Sequence, residues 1–145
     1  MAGSAYALRR LDRVPEAKRR IEKALAILTD TKDYPDQELG FDDVLFTVLL
    51  ARADQLADEG HLAAAIAEYQ ALLTQVSRAK ADVDHDLRDG NSLSWLCQDL
   101  ARLYRSYGDA AAAVALEARR LALWQHWDRT LPNNPFVQRK LASLK

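Results

Sequence analysis

Apolar residues return at every third or fourth position along most of the chain, as in Ile21, Leu25 and Leu28, or Leu100, Leu103 and Tyr104. That spacing puts them on one face of an α-helix, and no Asn-Gly turn between alternating apolar runs marks a β-hairpin. The five glycines and four prolines fall nearly all between segments rich in Ala, Leu, Arg and Glu, the good helix formers. The pattern predicts an all-α chain with helices near 2–11, 14–31, 41–58, 62–80, 92–107, 110–130 and 135–143. Asp109 is placed to cap the sixth, and Asn134-Pro135 reads as an N-cap followed by proline at the first helical position.

Sliding the sequence along itself exposes a second, longer period. "DRVPEAKRRIEKAL" from Asp12, "GHLAAAIAEYQALL" from Gly60 and "GDAAAAVALEARRL" from Gly108 align at a shift of 48 residues. Ala17, Ala65 and Ala113 coincide, as do Ala5, Ala53 and Ala101, the set Leu8, Leu56 and Tyr104, the set Val14, Leu62 and Ala110, and the leucines Leu25, Leu73 and Leu121. Small residues fall on small and large apolar ones on large, the mark of an internal repeat. Each unit reads as a helix, a tight turn using Gly60 or Gly108, and a second helix. Antiparallel helices joined so tightly approach closely, and alanine keeps their axes together. Ala53 is expected to face Ala65 and Ala101 to face Ala113, with the leucines filling the layers on either side. Ala111 and Ala112 serve helix propensity alone.

These residues resemble the tetratricopeptide repeat, whose helix pairs carry a Trp-x2-Leu-Gly-x2-Tyr run, then Gly, then Ala-x3-Phe and a closing Pro. Leu100, Ala101, Tyr104, Gly108 and Ala113 fall at its Leu, Gly, Tyr, Gly and Ala places. The second unit offers Ala53, Leu56, Gly60, Ala65 and Tyr69, and the first offers Ala5, Leu8, Ala17 and Ala24, with Asp12 where glycine is usual. The period of 48 exceeds the family's roughly 34, Glu117 stands where an aromatic residue is expected, and Arg52 replaces a leucine. The resemblance runs from about residue 4 to Pro132. It implies one domain over residues 1–145, a short right-handed solenoid of stacked hairpins with units near 1–38, 39–86 and 87–131 and a cap at 132–145. The extra residues lengthen the second helices and the polar connectors "DTKDYPDQELG" and "KADVDHDLRDGN", both expected as exposed loops on one edge of the stack.

Composition narrows the function classes. With 49% hydrophobic and 28% charged residues, the chain has the makings of one ordinary core. Its 21 acidic and 20 basic residues give a net charge of −1, without the overall attraction for polyanions of a basic nucleic-acid binder. The charge is unevenly spread: residues 1–32 carry eight basic and four acidic groups, 33–91 carry four and thirteen, and 92–145 carry eight and four. The single cysteine, Cys97, makes no internal disulfide and fits a reducing, cytoplasmic compartment. The N-terminus lacks a signal-peptide apolar core, and no run approaches the roughly 18 apolar residues of a membrane span. Met1 starts inside the first helix of a hairpin, as in a piece cut from a longer array.

Candidate chemistry is sparse. Asp82, Asp84 and Asp86 alternate as in the calcium loop D-x-[DN]-x-[DN]-G-x5-E, but Leu87 takes the place of the glycine and Leu93 that of the bidentate glutamate, so the segment reads as a solvated, capping loop. His61, His85 and His126 have no His or Cys at the next helical turn, as a zinc site needs. Cys97, beside Leu96 and near Leu93 and Leu100, reads as a small buried apolar residue. No Gly-rich phosphate loop, G-x-S-x-G or H-E-x-x-H occurs, so no enzyme, cofactor or metal site is expected. Arg19-Arg20 and Arg119-Arg120 read as solvated faces paired with Glu16, Glu22 and Glu117.

The closing stretch supplies Trp124, Trp127, Leu131, Phe136 and Leu141, suited to covering the apolar face of a last repeat. "EARRLALWQHWDRTLPNNPFV" also resembles the helical-repeat tails that follow the catalytic domain in some bacterial serine/threonine protein kinases. That likeness implies a regulatory or docking tail, because no Gly-rich loop, H-R-D or D-F-G is present. The tetratricopeptide resemblance implies binding of a peptide or partner helix on a concave face lined by first helices. By position that face takes Tyr6, Arg9 and Arg10, then Leu50, Asp54 and Asp58, then Trp95, Gln98, Arg102 and Arg105. Arg102 and Arg105 suit forked hydrogen bonds to a carboxylate, although the family's Lys and Asn carboxylate clamp is not matched. The alternative is self-assembly, a homodimer formed through the uncapped N-terminal hairpin.

Overall fold

The computed structural model describes residues 14–30, 39–76 and 81–144. Every regular element among them is a helix: α1 Val14–Asp30, α2 Val44–Asp58, α3 Leu62–Val76, α4 Leu87–Tyr107, α5 Ala110–Thr130 and α6 Pro135–Ala142. The all-α expectation from the apolar spacing holds, and the helix expected at 2–11 lies outside the described residues. None of the described helices is long and apolar enough to cross a membrane.

The chain divides into two compact units, with the boundary between Ala81 and Asp82. In the first, α1 packs on α2 and α2 on α3. Ala17 and Ile21 of α1 lie against Ala51 of α2, and Ala24 lies against Val48, with Leu25 and Leu28 closing the sides. The α2–α3 hairpin buries Ala53 and Ala65 completely. Arg52 pairs with Glu68 at 3.1 Å across it, and the Tyr69 hydroxyl donates to Asp54 Oδ1. Glu59, just past α2, accepts from Gln55 at 2.9 Å and from Lys18 of α1 at 3.2 Å. Those bonds, Gln55 first and Lys18 second, hold its carboxyl below the usual range.

In the second unit α4 packs on α5 and α5 on α6. Leu93, Leu96, Cys97, Leu100 and Leu103 form the buried side of α4, and Ala101 and Ala113 are sealed. Trp124, Trp127 and Val137 complete this core from α5 and α6. The Trp124 and Phe136 rings meet edge to face, 5.8 Å apart at 71°, the geometry aromatic quadrupoles favour.

The two tight turns are built alike. Gly60 has φ 80° and Gly108 φ 97°, a left-handed conformation that a Cβ would strain. The following amides close each turn on the preceding helix: His61 N donates to Leu56 O and Asp109 N to Tyr104 O, each at 2.9 Å, as in a Schellman stop. Asp109 then caps α5 through Ala112 N at 2.9 Å. Asn134 caps α6, accepting from Phe136 N at 2.9 Å and Val137 N at 3.3 Å, with Pro135 in the first turn. Both caps were legible in the sequence.

Three expectations need correction. First, α4 begins at Leu87, five residues earlier than 92, so the last five residues of the connector "KADVDHDLRDGN" are helical. Asp86 starts it by accepting from Arg88 N at 2.8 Å and Asp89 N at 3.4 Å. Gly90, which looked like a turn residue, is a buried helical position beside Trp127. In the other connector Leu39 is buried and Gly40 N donates to Asp43 Oδ2 at 2.7 Å, so α2 starts at Val44 and not at residue 41; residues 31–38 lie outside the described set. Second, the leucines do not all fill core layers: Leu25 and Leu73 are half-buried and Leu121 is exposed, while their neighbours Ala24 and Leu72 are buried. The inward direction of the second helices falls one residue earlier than the aligned leucines suggested. Third, Arg120, although the Glu117 charge does favour it, is not a solvated face. It reaches across to α4, with Nη2 donating to Gln98 Oε1 at 2.8 Å and Nε to Ser94 Oγ at 3.3 Å.

Candidate functional site

The exposed side of α4 is where the described candidate residues gather. Its register is fixed at both ends, by the Asp86 cap and by left-handed Gly108. With Leu93, Leu96, Cys97, Leu100 and Leu103 committed to the core, Trp95, Gln98, Arg102 and Arg105 fall on the opposite side at i, i+3, i+7 and i+10, one stripe of a helix. Trp95 is 61% exposed. Gln98 is held by Arg120, Arg102 pairs with Asp99 at 3.2 Å, and Arg105 pairs with Glu117 of α5.

These pairings change the reading of the two arginines. Each already has a carboxylate of its own chain, so neither is a bare cation, and a ligand carboxylate competes with Asp99 or Glu117. Glu117 bridges α5 to α4 at the surface, and in the first unit Tyr69 of α3 reaches Asp54 of α2. The stripe therefore presents an indole flanked by an amide and internally neutralised cations.

On α2, Leu50 is half-buried, Asp54 accepts the Tyr69 hydroxyl, and Asp58 is exposed at the end of the helix. Their four-residue spacing places them along one side of α2. Tyr6, Arg9 and Arg10 lie outside the described residues.

The acidic loop is built as a cap. Asp86 serves the α4 amides, Asp82 Oδ1 meets His85 Nδ1 at 2.8 Å, and Asp89 Oδ2 accepts from Asp82 N at 3.0 Å. Asp84 presents its backbone carbonyl to His126 Nε2 at 3.2 Å. The hydrogen bond from Asp82 raises the His85 pKa above its ordinary value, with the Asp82 and Asp84 charges adding to it. Among the described residues no group of three His, Cys, Asp or Glu side chains is arranged to hold a metal ion. Cys97 is buried in the α4 face, and burial pushes its thiol up, against the weaker pull of Arg119 and Arg120. A thiol held protonated is a poor nucleophile.

The tryptophans near the C-terminal end are consumed by the fold. Trp124 Nε1 donates to Ser94 Oγ at 2.9 Å and Trp127 Nε1 to the Val83 carbonyl at 3.1 Å. Leu131, Phe136 and Leu141 are half-buried around them. Sequence reasoning missed Ser94, Gly90 and Arg120. Ser94 carried a weak signal, a small polar residue at i+4 from Gly90 and i−3 from Cys97 inside an apolar face. Arg120 sits at the helical position of Leu72 shifted by 48, a residue that is buried in the first unit. Scanned against protein-family models, curated proteins and solved structures, the chain matches none.

Proposed function

We propose that the chain is a non-catalytic protein-interaction module, a short array of helix hairpins like the tetratricopeptide repeat, that presents the Trp95 side of α4 to a peptide or helix of a partner protein. The observation that carries this reading is Trp95 itself, 61% exposed on a helix whose register is pinned at both ends. Tryptophan is enriched among the few residues that dominate binding energy, and a rigid indole loses little conformational entropy on docking.

The repeat part of the reading has three supports. Helices α3 and α5 start at Leu62 and Ala110, 48 residues apart. Gly60 and Gly108 carry matching turns at that same offset. Ala17, Ala65 and Ala113 are buried to the same degree. The likeness to kinase-associated repeat tails makes a docking segment of a larger protein the natural setting, and this part rests on the sequence alone.

The experiment is site-specific photo-crosslinking in cells. A benzophenone amino acid at position 95 is compared with the same group at position 129, exposed on α5, and the adducts are identified by mass spectrometry. Adducts to a different protein at position 95, absent at 129, support the module. Adducts to the chain itself, with a dimer mass by light scattering, replace it with the self-assembly reading. Equal labelling at both positions removes the role of Trp95.

A further inference from the structure

The acceptors on the Trp95 side of α4 are already in use. Arg102 takes Asp99 and Arg105 takes Glu117, and Gln98 Oε1 accepts from Arg120 Nη2 at 2.8 Å. A guanidinium only donates, so it settles which way the Gln98 amide lies: the flipped amide would set N–H against N–H. The amide carbonyl therefore faces α5, and the Nε2 group points away from the guanidinium. Arg120 is itself held from behind, because its Nε donates at 3.3 Å to Oγ of the buried Ser94, which also takes the Trp124 indole at 2.9 Å. The core thus sets the orientation of a surface amide.

What remains open on the stripe is of one kind. Gln98 Nε2 and Trp95 Nε1 are donors without an acceptor among the described residues, and the paired arginines leave little charge to choose a partner by. A matching ligand brings acceptors and no N–H groups, since a donor that gave up its water here would find nothing to bond. An α-helix is a poor match, because all but the carbonyls of its last turn are bonded within it. A proline-rich segment in the polyproline II form fits. It is extended, its carbonyls are open, its prolines carry no N–H, and it loses little entropy on docking. Its rings pack on an exposed aromatic side chain, and Trp95 supplies one.

Resting on the role given to the Trp95 side of α4, we propose that this face binds a proline-rich, extended segment of the partner protein. The main-chain carbonyls of that segment accept from Trp95 Nε1 and Gln98 Nε2, and Arg120 is the positioning residue that aims the Gln98 amide.

The test is NMR of the side-chain N–H groups of the full ¹⁵N-labelled chain. The probe is decaproline, and the control is an alanine-rich helical peptide of similar length. The expected result is saturable shifts of the Trp95 indole and Gln98 amide signals with decaproline, while the buried Trp124 and Trp127 indoles stay unmoved. The helical peptide should bind at least about tenfold more weakly. Gln98→Glu keeps an acceptor for Arg120 and turns the outward donor into an oxygen. It should leave the urea midpoint unchanged or higher and weaken decaproline binding about tenfold. Arg120→Met should free the Gln98 amide, read as faster side-chain ¹⁵N motion, and weaken decaproline binding to a similar degree. Undiminished binding by Gln98→Glu, a helical peptide that binds as tightly as decaproline, or no shift at Trp95 overturns the proposal. Photo-adducts to a different protein from position 95, with decaproline inert, overturn the proline-rich segment alone; without those adducts the role of Trp95 in binding falls as well.

Discussion

A Cβ on Gly90 would stand 2.6 Å from Trp127 Nε1 and 3.1 Å from the Val83 carbonyl that this indole nitrogen serves. The α4 backbone, the Trp127 ring and the loop before α4 thus meet at one point that has no room for a methyl group. Trp127 is buried and hydrogen-bonded, so the ring is not free to swing aside. Gly90→Ala gains about 1 kcal/mol of helix propensity and loses more to overpacking, about 1–3 kcal/mol, with the indole hydrogen bond at risk besides. The expected outcome is a lower urea midpoint at unchanged slope, partly restored in Gly90→Ala with Trp127→Phe. A stabilised Gly90→Ala protein would show that the ring yields.

The run of alanines at the start of α5 separates propensity from packing. Ala113 is sealed and Ala111 is exposed. Ala113→Leu is expected to destabilise by about 1–3 kcal/mol, because the hairpin axes must part, whereas Ala111→Leu stays within about 0.5 kcal/mol. Equal denaturation midpoints for the two variants contradict the close approach of α4 and α5.

Ser94 is the only polar residue among the described ones that is fully in the core, and its hydroxyl receives both Trp124 Nε1 and Arg120 Nε. Ser94→Ala strands a buried indole N–H, at a cost of about 1–3 kcal/mol. Ser94→Thr retains the oxygen but adds a methyl group at a packed site. Stability should therefore fall in Ser94→Ala even though the substitution favours helix, and tryptophan fluorescence should shift with it.

His85 supplies a pH signature. Its pKa is raised in the folded chain above the ordinary 6.5, so its favourable interaction with Asp82 is complete below the unfolded pKa and is lost as pH rises through the folded one. The group is exposed, and the effect on stability is correspondingly small. Proton NMR of the imidazole should give a midpoint above 6.5, and Asp82→Asn should return it toward that value. An unmoved midpoint in the variant means that the pair does not form in solution.

Helix identity was legible in the sequence because apolar spacing and caps are local. Leu62, Ala110 and Pro135 stand at the starts of helices α3, α5 and α6, as the spacing and the turn residues indicated. The start of α4 was not legible, since Asp, Gly and Asn in "DLRDGN" each favour turns when read singly. Only the approach of Trp127 explains why a glycine belongs inside that helix. The partners of Arg105 and Arg120 were hidden for a similar reason. Whether a surface arginine serves a neighbouring helix or a ligand depends on which carboxylates or hydroxyls lie across the gap, and Glu117 and Ser94 are 12 and 26 residues away in sequence. Trp95 was recognisable as a candidate, because an aromatic residue opposite the apolar face of its own helix has no place in that helix's core.

The sealing of Cys97 within α4 has a practical corollary. The sequence holds no other sulfhydryl, and this one is enclosed and held protonated. Maleimide dyes and nitroxide probes will bypass it under native conditions. A single Ser106→Cys substitution, at an exposed position of α4, can therefore carry a reporter beside the Trp95 face with the native thiol left in place.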